Sequence, residues 1–455
     1  MKMNRFLALC AYVLLALSAT AQSPEAIRES LAKYPNLTFP TFSTYPSIPL
    51  GEIAAAPEGF EPFYFTMVGR HGSRYEQKDT RFRKAFDTFA KADSLGILTA
   101  DGKLLFKRIA EVCAEQKGHD GELSQLGFEQ WREISRRAYE RFRNIFENGA
   151  VEAKSSTSLR CVFSMVAFNE AMKGLCPQMN IQQNARKCDL WIVRPLVDDP
   201  AVSDEARRIF KESVANNEWS KMRKKWDREC DATSFLSKVT TDSERFIKEC
   251  GAKHTFRIAR YAFLTVIFGE NFGLGDRELL ARLFTTEDMY NMYVYNASAW
   301  VNGSVGRGND IAEMRQSHMR AMIEDIINKG DEAIKGENPV TANLRFTHDS
   351  YVGPLLSAIG YDGCVPQCCD DMERATTSFN HGLNVPMAAN LQIILYRNKR
   401  GDVLVRSLLN ERDAMLPIKS ATAPFYPWKD FCKHVRANMD YLDKAEVRVM
   451  SRYNQ

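Results

Sequence analysis

An open α/β sheet with helices on both faces, interrupted by an inserted α-helical cap domain, is the fold class that the sequence predicts. Three observations predict it. The run "FYFTMV" at 63–68 is apolar, aromatic or β-branched and stops at Gly69, as a buried strand opening into a loop does. Strand-like runs return late, in "ANLRFT" from 342 and in "NLQIILYRN" and "DVLVRSLLN" between 390 and 410. Between these groups, from about 180 to 335, helical periodicity dominates and strand-like runs are scarce. Strand and helix alternating on either side of a helical stretch fit a sheet whose chain leaves once to build a cap.

In chain order, residues 1–21 read as a secretory signal peptide. Lys2 and Arg5 precede an apolar run from Phe6 to Ser18, and Ala19, Thr20 and Ala21 offer small residues for cleavage. The run is too short for a permanent membrane anchor, and no other stretch is long and apolar enough, so an exported protein without a membrane span is expected, periplasmic or secreted. Cleavage takes Lys2 and Arg5 away and lowers the net charge from +4 to about +2. That near-neutral balance speaks against a nucleic-acid partner. Roughly 430 remaining residues exceed what one hydrophobic core serves, so two lobes are expected.

Residues 22–57 are rich in Pro, Ser and Thr and suit an extended surface segment. The α/β core is assigned to 58–178 and 336–455, and the helical cap to 179–335. Within the core, amphipathic helices are predicted around 80–95 and 124–148, the second with Ser124 as N-cap. At 150–175 a short strand, a Ser/Thr loop and a helix follow one another, with Arg160 in the first turn of that helix. "NLQIILYRN" and "DVLVRSLLN" read as paired strands joined by the turn-rich "NKRGD". In the cap, the basic run "KMRKKWDREC" at 221–230 reads as a solvated helix face, and the glycines of "GENFGLG" and "GSVGRG" as loop glycines, since neither stretch carries the Lys-Ser/Thr of a phosphate loop. Ten cysteines follow the signal segment, with Cys364, Cys368 and Cys369 the densest group. An oxidising compartment favours disulfides or buried thiols for them, and no second Cys or His pair stands at metal-ligand spacing.

Chemistry concentrates in three places that each follow a strand-like run. His71 sits between Arg70 and Arg74 after "FYFTMV", Arg160 opens a helix, and His348 and Asp349 follow "LRF". In an open α/β sheet such loops meet at the carboxyl ends of strands. Three arginines around one volume favour an anion, and guanidinium forks match a tetrahedral phosphate. Neighbouring cations keep the His71 imidazole neutral, and only the neutral ring has a lone pair for attack on phosphorus. Asp349, if protonated when substrate arrives, can supply the proton that a leaving alkoxide needs, which favours acid pH. No metal or other cofactor is called for.

"RHGSR" at 70–74, "RCVFS" at 160–164 and "HD" at 348–349 resemble the three signature segments of the histidine acid phosphatases, the second branch of the phosphoglycerate-mutase-like superfamily. The resemblance runs from about Phe63 to Pro417. "SSTSLRCVFSMVAFNEAMKGL" and "VRSLLNERDAMLP" are similar in particular to multiple inositol polyphosphate phosphatases, and so to phytate-degrading enzymes. It implies the phosphoglycerate-mutase-like open sheet with a helical cap, His71 as nucleophile, Arg70, Arg74, Arg160 and His348 as phosphate ligands, and Asp349 as proton donor. Two positions depart from it. Glu76 stands where the family usually has proline, and "HDS" replaces the His-Ala-Glu usual in inositol polyphosphate phosphatases of this type.

The expected activity is a metal-independent phosphomonoesterase that works through a phosphohistidine on inositol polyphosphates. A broad-specificity acid phosphatase for small phosphate esters is the alternative within enzymes. A non-catalytic phosphate-binding protein is the alternative outside them, and it would need neither a nucleophile nor an acid. Expected partners are small-molecule phosphate esters.

Overall fold

The computed structural model describes residues 23–147, 149–195, 202–215, 218–377, 379 and 381–453. The signal segment assigned to residues 1–21 lies outside them. Among the described residues eight strands form one sheet: β1 (Glu61–Arg70), β2 (Ala150–Ser155), β3 (Asn180–Asn184), β4 (Ala342–Thr347), β5 (Asn390–Arg397), β6 (Val403–Leu409), β7 (Arg412–Asp413) and β8 (Phe425–Pro427). Their order is β3-β2-β4-β1-β5-β6-β7, with β8 also pairing β6. The first four in this order run parallel, and β5 to β8 add antiparallel pairs on the other side.

The side-chain period of two sorts β1 onto both faces. Tyr64 and Val68 join one core cluster, with Met322, Ile323 and Ile326 of the helix Arg320–Lys335, while Phe65 and Met67 join the other, with Trp131, Phe146 and Phe168. Helices therefore cover both faces, as expected. Asn343 and Arg345 put polar groups on the first face, and each is matched. Asn343 accepts from Tyr64 Oη at 2.7 Å, and Arg345 pairs with Asp325 and donates to Thr66 Oγ1 at 2.8 Å.

Packing crosses the sequence divisions near 179 and 335. The helices Thr80–Ser94 and Ala100–Gln116 bury Phe82, Phe89, Leu105 and Ile109 in one cluster with Phe235, Phe263 and Leu280 of the inserted stretch. The helix Arg320–Lys335, at the end of that stretch, covers the sheet instead. β3, at the start of the stretch, is a strand the sequence did not suggest: "NIQQN" lies at the sheet edge, mostly solvent-facing, so no apolar alternation marks it.

The sequence predicts an extended segment over 22–57, yet Pro24–Lys33 is helical. Ser23 caps it by accepting from Ala26 N–H, Pro24 occupies the first turn, and Ile27 and Leu31 are buried in the helical cluster. The Ser and Pro that suggested a loop are its start signal. The disulfide expectation also gives way. All ten described cysteines are free thiols, five of them buried, and Cys176, Cys250, Cys364 and Cys432 are divided among three separate apolar clusters where they pack as small hydrophobes. No helix among the described residues is long and apolar enough to cross a membrane.

Two glycines set the close packing under the end of β1. A Cβ on Gly69 would lie 2.4 Å from the Trp131 ring, which is fully buried and edge-on to Phe346 at 4.9 Å. A Cβ on Gly72 would lie 2.5 Å from the Gly127 carbonyl oxygen, in the first turn of the helix Gln125–Arg141, whose N-cap Ser124 accepts from Gly127 N–H. Because the Trp131 ring is rigid and wedged between strand and helix, Gly69→Ala is expected to destabilise the protein by about 1–3 kcal/mol, as overpacking does. A urea titration checks this, and an unchanged midpoint would contradict the packing described.

Candidate active site

β2, β4 and β1 are adjacent and parallel, so their carboxyl ends deliver the three sequence motifs to one place. β1 ends at Arg70 with His71 next, and β4 ends at Thr347 with His348 next, as N-cap of the helix Asp349–Ile359. β2 ends at Ser155, and Ser156 and Ser158 lead into the helix Leu159–Leu175, with Arg160 in its first turn. Short hydrogen bonds lock these loops together. Ser164 Oγ accepts from Gly72 N–H at 3.0 Å and donates to the Arg160 carbonyl at 2.7 Å, and His71 N–H donates to the Thr347 carbonyl at 3.0 Å.

The result is a polar cleft of about 310 Å³ lined by His71, Arg74, Arg160, Arg194, His348 and Asp349, with Gln77, Ser158, Ser350 and Tyr351 on its walls. Arg70 lies behind it, fully buried. Its Nη1 donates to the Thr41 and Val385 carbonyls at 2.7 and 2.9 Å, and its Nη2 is 3.0 Å from Asp349 Oδ2. All six residues expected from sequence are thus brought together. Buried Nε groups of Arg70, Arg74 and Arg160 meet no acceptor among the described residues. Buried donors of this kind are costly unless the site takes an acceptor.

His71 is buried, and its Nδ1 lies 2.9 Å from the Gly72 carbonyl. A carbonyl only accepts, so the ring proton sits on Nδ1 and leaves the lone pair on Nε2. Burial, reinforced by Arg70, Arg74, His348 and Arg160, holds the His71 pKa well below the usual imidazole value. Burial and then Arg160 push His348 down to about 3, and the Ser156 and Ser158 hydroxyls at 3.2 and 3.4 Å from its Nε2 fix its ring. Burial alone would raise the Asp349 pKa, but the Arg70 and Arg74 guanidiniums and His348 outweigh it and hold the carboxyl below the usual carboxylate range. Burial brings even Arg70 down to about 10.

Arg194 is the cleft residue that sequence reasoning missed. It closes the short helix Leu190–Val193, which is held over β4 by a hydrogen bond from Thr347 Oγ1 to the Val193 carbonyl. Its only local signal is an arginine after the apolar "LWIV", inside a stretch read as cap. The basic run at 221–230 behaves differently: Arg223 turns inward over the Tyr295 ring at 4.2 Å, Lys224 and Lys225 face solvent, and none of them lines the cleft.

Glu76 is buried beside the cleft. Its carboxylate accepts from Arg81 Nη2 at 2.9 Å and lies 3.5 Å from Arg74 Nη1.

The family model of the histidine phosphatase superfamily (branch 2) matches residues 64–410. No curated protein sequence matches the chain. Among solved structures, the multiple inositol polyphosphate phosphatase of Bifidobacterium longum, in complex with inositol hexasulfate, superposes with a TM-score of 0.68 at 16% identity, covering 88% of this chain and 97% of that one. The phytase from D. castellii superposes with a TM-score of 0.63 at 14% identity, covering 90% and 85%. At such identities the likeness is one of fold, and it extends over the cap as well as the sheet. With the family model spanning the strand before His71, the Arg160 helix and the His348–Asp349 turn, the chain belongs to branch 2 of the histidine phosphatase superfamily and is a phosphatase of the histidine acid phosphatase family.

Proposed function

We propose that the protein is an exported, metal-independent phosphomonoesterase that hydrolyses inositol polyphosphates through a phosphohistidine on His71. The observation that carries this reading is the convergence of Arg70, Arg74, Arg160 and Arg194 with His71, His348 and Asp349 on one cleft. Arg194 extends the cationic lining beyond the residues that would hold a single scissile phosphate, which suits a substrate bearing several. The B. longum phosphatase was solved with inositol hexasulfate and with phosphate, which supports a polyanionic inositol ester as the substrate class. The Lys2 to Ala21 pattern supports export.

In this mechanism Arg70, Arg74, Arg160 and His348 bind the phosphoryl oxygens, the three guanidinium groups neutralising their charge as it builds and the neutral His348 ring donating an N–H. His71 Nε2 attacks phosphorus in line with the ester oxygen. The P–O ester bond breaks, Asp349 protonates the leaving alkoxide, and a phosphohistidine remains. Asp349, now a carboxylate, then takes a proton from water as that water attacks phosphorus, which breaks the P–N bond and frees inorganic phosphate. The Gly72 carbonyl keeps the Nδ1 proton in place throughout and supports the positive charge on the ring.

Asp349 must be protonated at the first step, whereas Arg70 holds it ionised in the free protein. An incoming phosphate dianion draws on the same guanidinium charge, so the carboxyl regains a proton as substrate binds. The signs are opposite for the two groups. His71, depressed as a base, stays neutral far into the acid range, so it sets no limit near its ordinary value of about 6.5. Asp349, depressed as an acid, loses its proton as pH rises. kcat/KM on phytate is therefore expected to be highest at acid pH and to fall towards neutrality. Asp349→Asn is expected to lower kcat by about a hundredfold or more and to flatten that fall. A pH–rate profile of both proteins checks this, and an unaltered basic limb in the variant would remove Asp349 from the acid role.

Substrate class is checked by initial rates on phytate and on a simple aryl phosphate. A higher kcat/KM for phytate is expected. A strong preference for the aryl ester would replace the polyphosphate reading with that of a broad acid phosphatase.

A further inference from the structure

Glu76 sits in the phosphate-binding loop and has no place in the chemistry above. Its backbone is pinned on both sides: Glu76 N–H donates to Gln116 Oε1 at 2.8 Å, and Gln116 Nε2 and Gly121 N–H donate to the Glu76 carbonyl at 3.0 Å each. That frame fixes the point from which its side chain departs. Oε1 accepts from Gln77 N–H at 2.8 Å and faces Arg74 Nη1 at 3.5 Å, while Oε2 accepts from Arg81 Nη2 at 2.9 Å. One buried carboxylate is thus shared between an arginine of the cleft and an arginine outside it.

Arg74 is accordingly divided. Its Nη1 donates to the Tyr75 carbonyl at 2.7 Å and faces Glu76, and its Nε has no acceptor among the described residues. Asp349 is the other carboxylate at the cleft among the described residues, and it is held by Arg70. Arg81, a third exposed, lies over the Phe42 ring at 5.3 Å and draws Glu76 away from Arg74.

We propose that Glu76 is a positioning residue, an internal counter-ion to Arg74 that weakens the hold on inorganic phosphate and so speeds its release after hydrolysis. The inference rests on the reading of Arg74 as a phosphate ligand. A cleft with four guanidinium groups binds a phosphate dianion tightly, and tight binding of product limits turnover. A fixed carboxylate beside one of the four lowers that affinity at all times, while Arg81 sets how much of its charge reaches Arg74.

The two arginines give the idea opposite signs in one assay. Inorganic phosphate is the probe, read by calorimetry and as a competitive inhibitor. Glu76→Gln keeps an oxygen for Gln77 N–H and removes the charge, and it is expected to tighten phosphate binding about three- to tenfold, the worth of a partly screened ion pair. KM should fall with it, and kcat should fall where release limits turnover. Arg81→Ala returns the whole carboxylate to Arg74 and is expected to weaken phosphate binding. A loop that was merely loosened would bind phosphate less well in Glu76→Gln, so weaker or unchanged binding in that variant overturns the proposal. Should Glu76→Gln not fold, Arg81→Ala is read with Arg81→Lys and the urea midpoint: weaker binding at an unchanged midpoint that Arg81→Lys restores supports the proposal, and unchanged or tighter binding, or weaker binding that tracks a lowered midpoint, overturns it. Wild-type protein that neither binds phosphate nor cleaves a phosphate ester would overturn the reading of the cleft itself, and the role of Glu76 with it.

Discussion

Everything at this site depends on an excess of positive charge gathered in a poorly hydrated place. Arg70, Arg74, Arg160 and Arg194 surround two histidines, and among the described residues the carboxylates of Asp349 and Glu76 stand beside Arg70 and Arg74. Such a cluster costs free energy in the empty state, because like charges repel and buried donors go unmatched. The fold offsets part of this with fixed dipoles, above all the Thr41 and Val385 carbonyls on Arg70, which lets a fully buried guanidinium stay charged. Burial, reinforced by the same charge, keeps His71 neutral, and that charge, acting against burial, keeps Asp349 ionised until an anion arrives. Burial and one electrostatic field thus act together on the proposed nucleophile and the proposed acid.

That field needs three loops at fixed relative positions, which explains the crowding beneath them. Gly69 against Trp131, Gly72 against Gly127, and Ser164 between Gly72 and Arg160 leave little room for the loops to drift. The N-terminal segment takes part as well, since Thr41 grips Arg70, Ser43 accepts from Met387 N–H and Tyr45 Oη donates to Glu411 at 2.6 Å. A stretch that resembles a loose leader in composition is bound to both the sheet and the helical lobe.

Much of this was legible in the sequence because it is written locally. β1 and β4 are short apolar runs ending at a charged triplet or pair, and Ser124 is followed by a regular amphipathic pattern, so strands, helix start and six candidate residues that prove to lie together could be named. What escaped is written across the chain. β3 is polar and lies on an edge, so nothing in its own residues marks it. Arg194 reaches the cleft only because Thr347 holds the preceding helix over β4. The cysteines suggested disulfides by number and compartment, whereas the placement of Cys250 in one cluster and of Cys364 and Cys432 in another is a matter of tertiary packing. Glu76 read as an anomaly beside a phosphate loop, and only its contacts with Arg81 and Gln116 turn it into part of the design.

The central claim is that His71 is a neutral nucleophile aimed at phosphorus, and covalent trapping tests it most directly. Protein mixed with a radiolabelled phosphate ester would be quenched within one turnover into alkaline denaturant, where a phosphohistidine survives, and then mapped by peptide. The account predicts label on the peptide bearing His71 and none in His71→Ala. Ester hydrolysis at full rate with no labelled protein, or label on a residue other than His71, would contradict it.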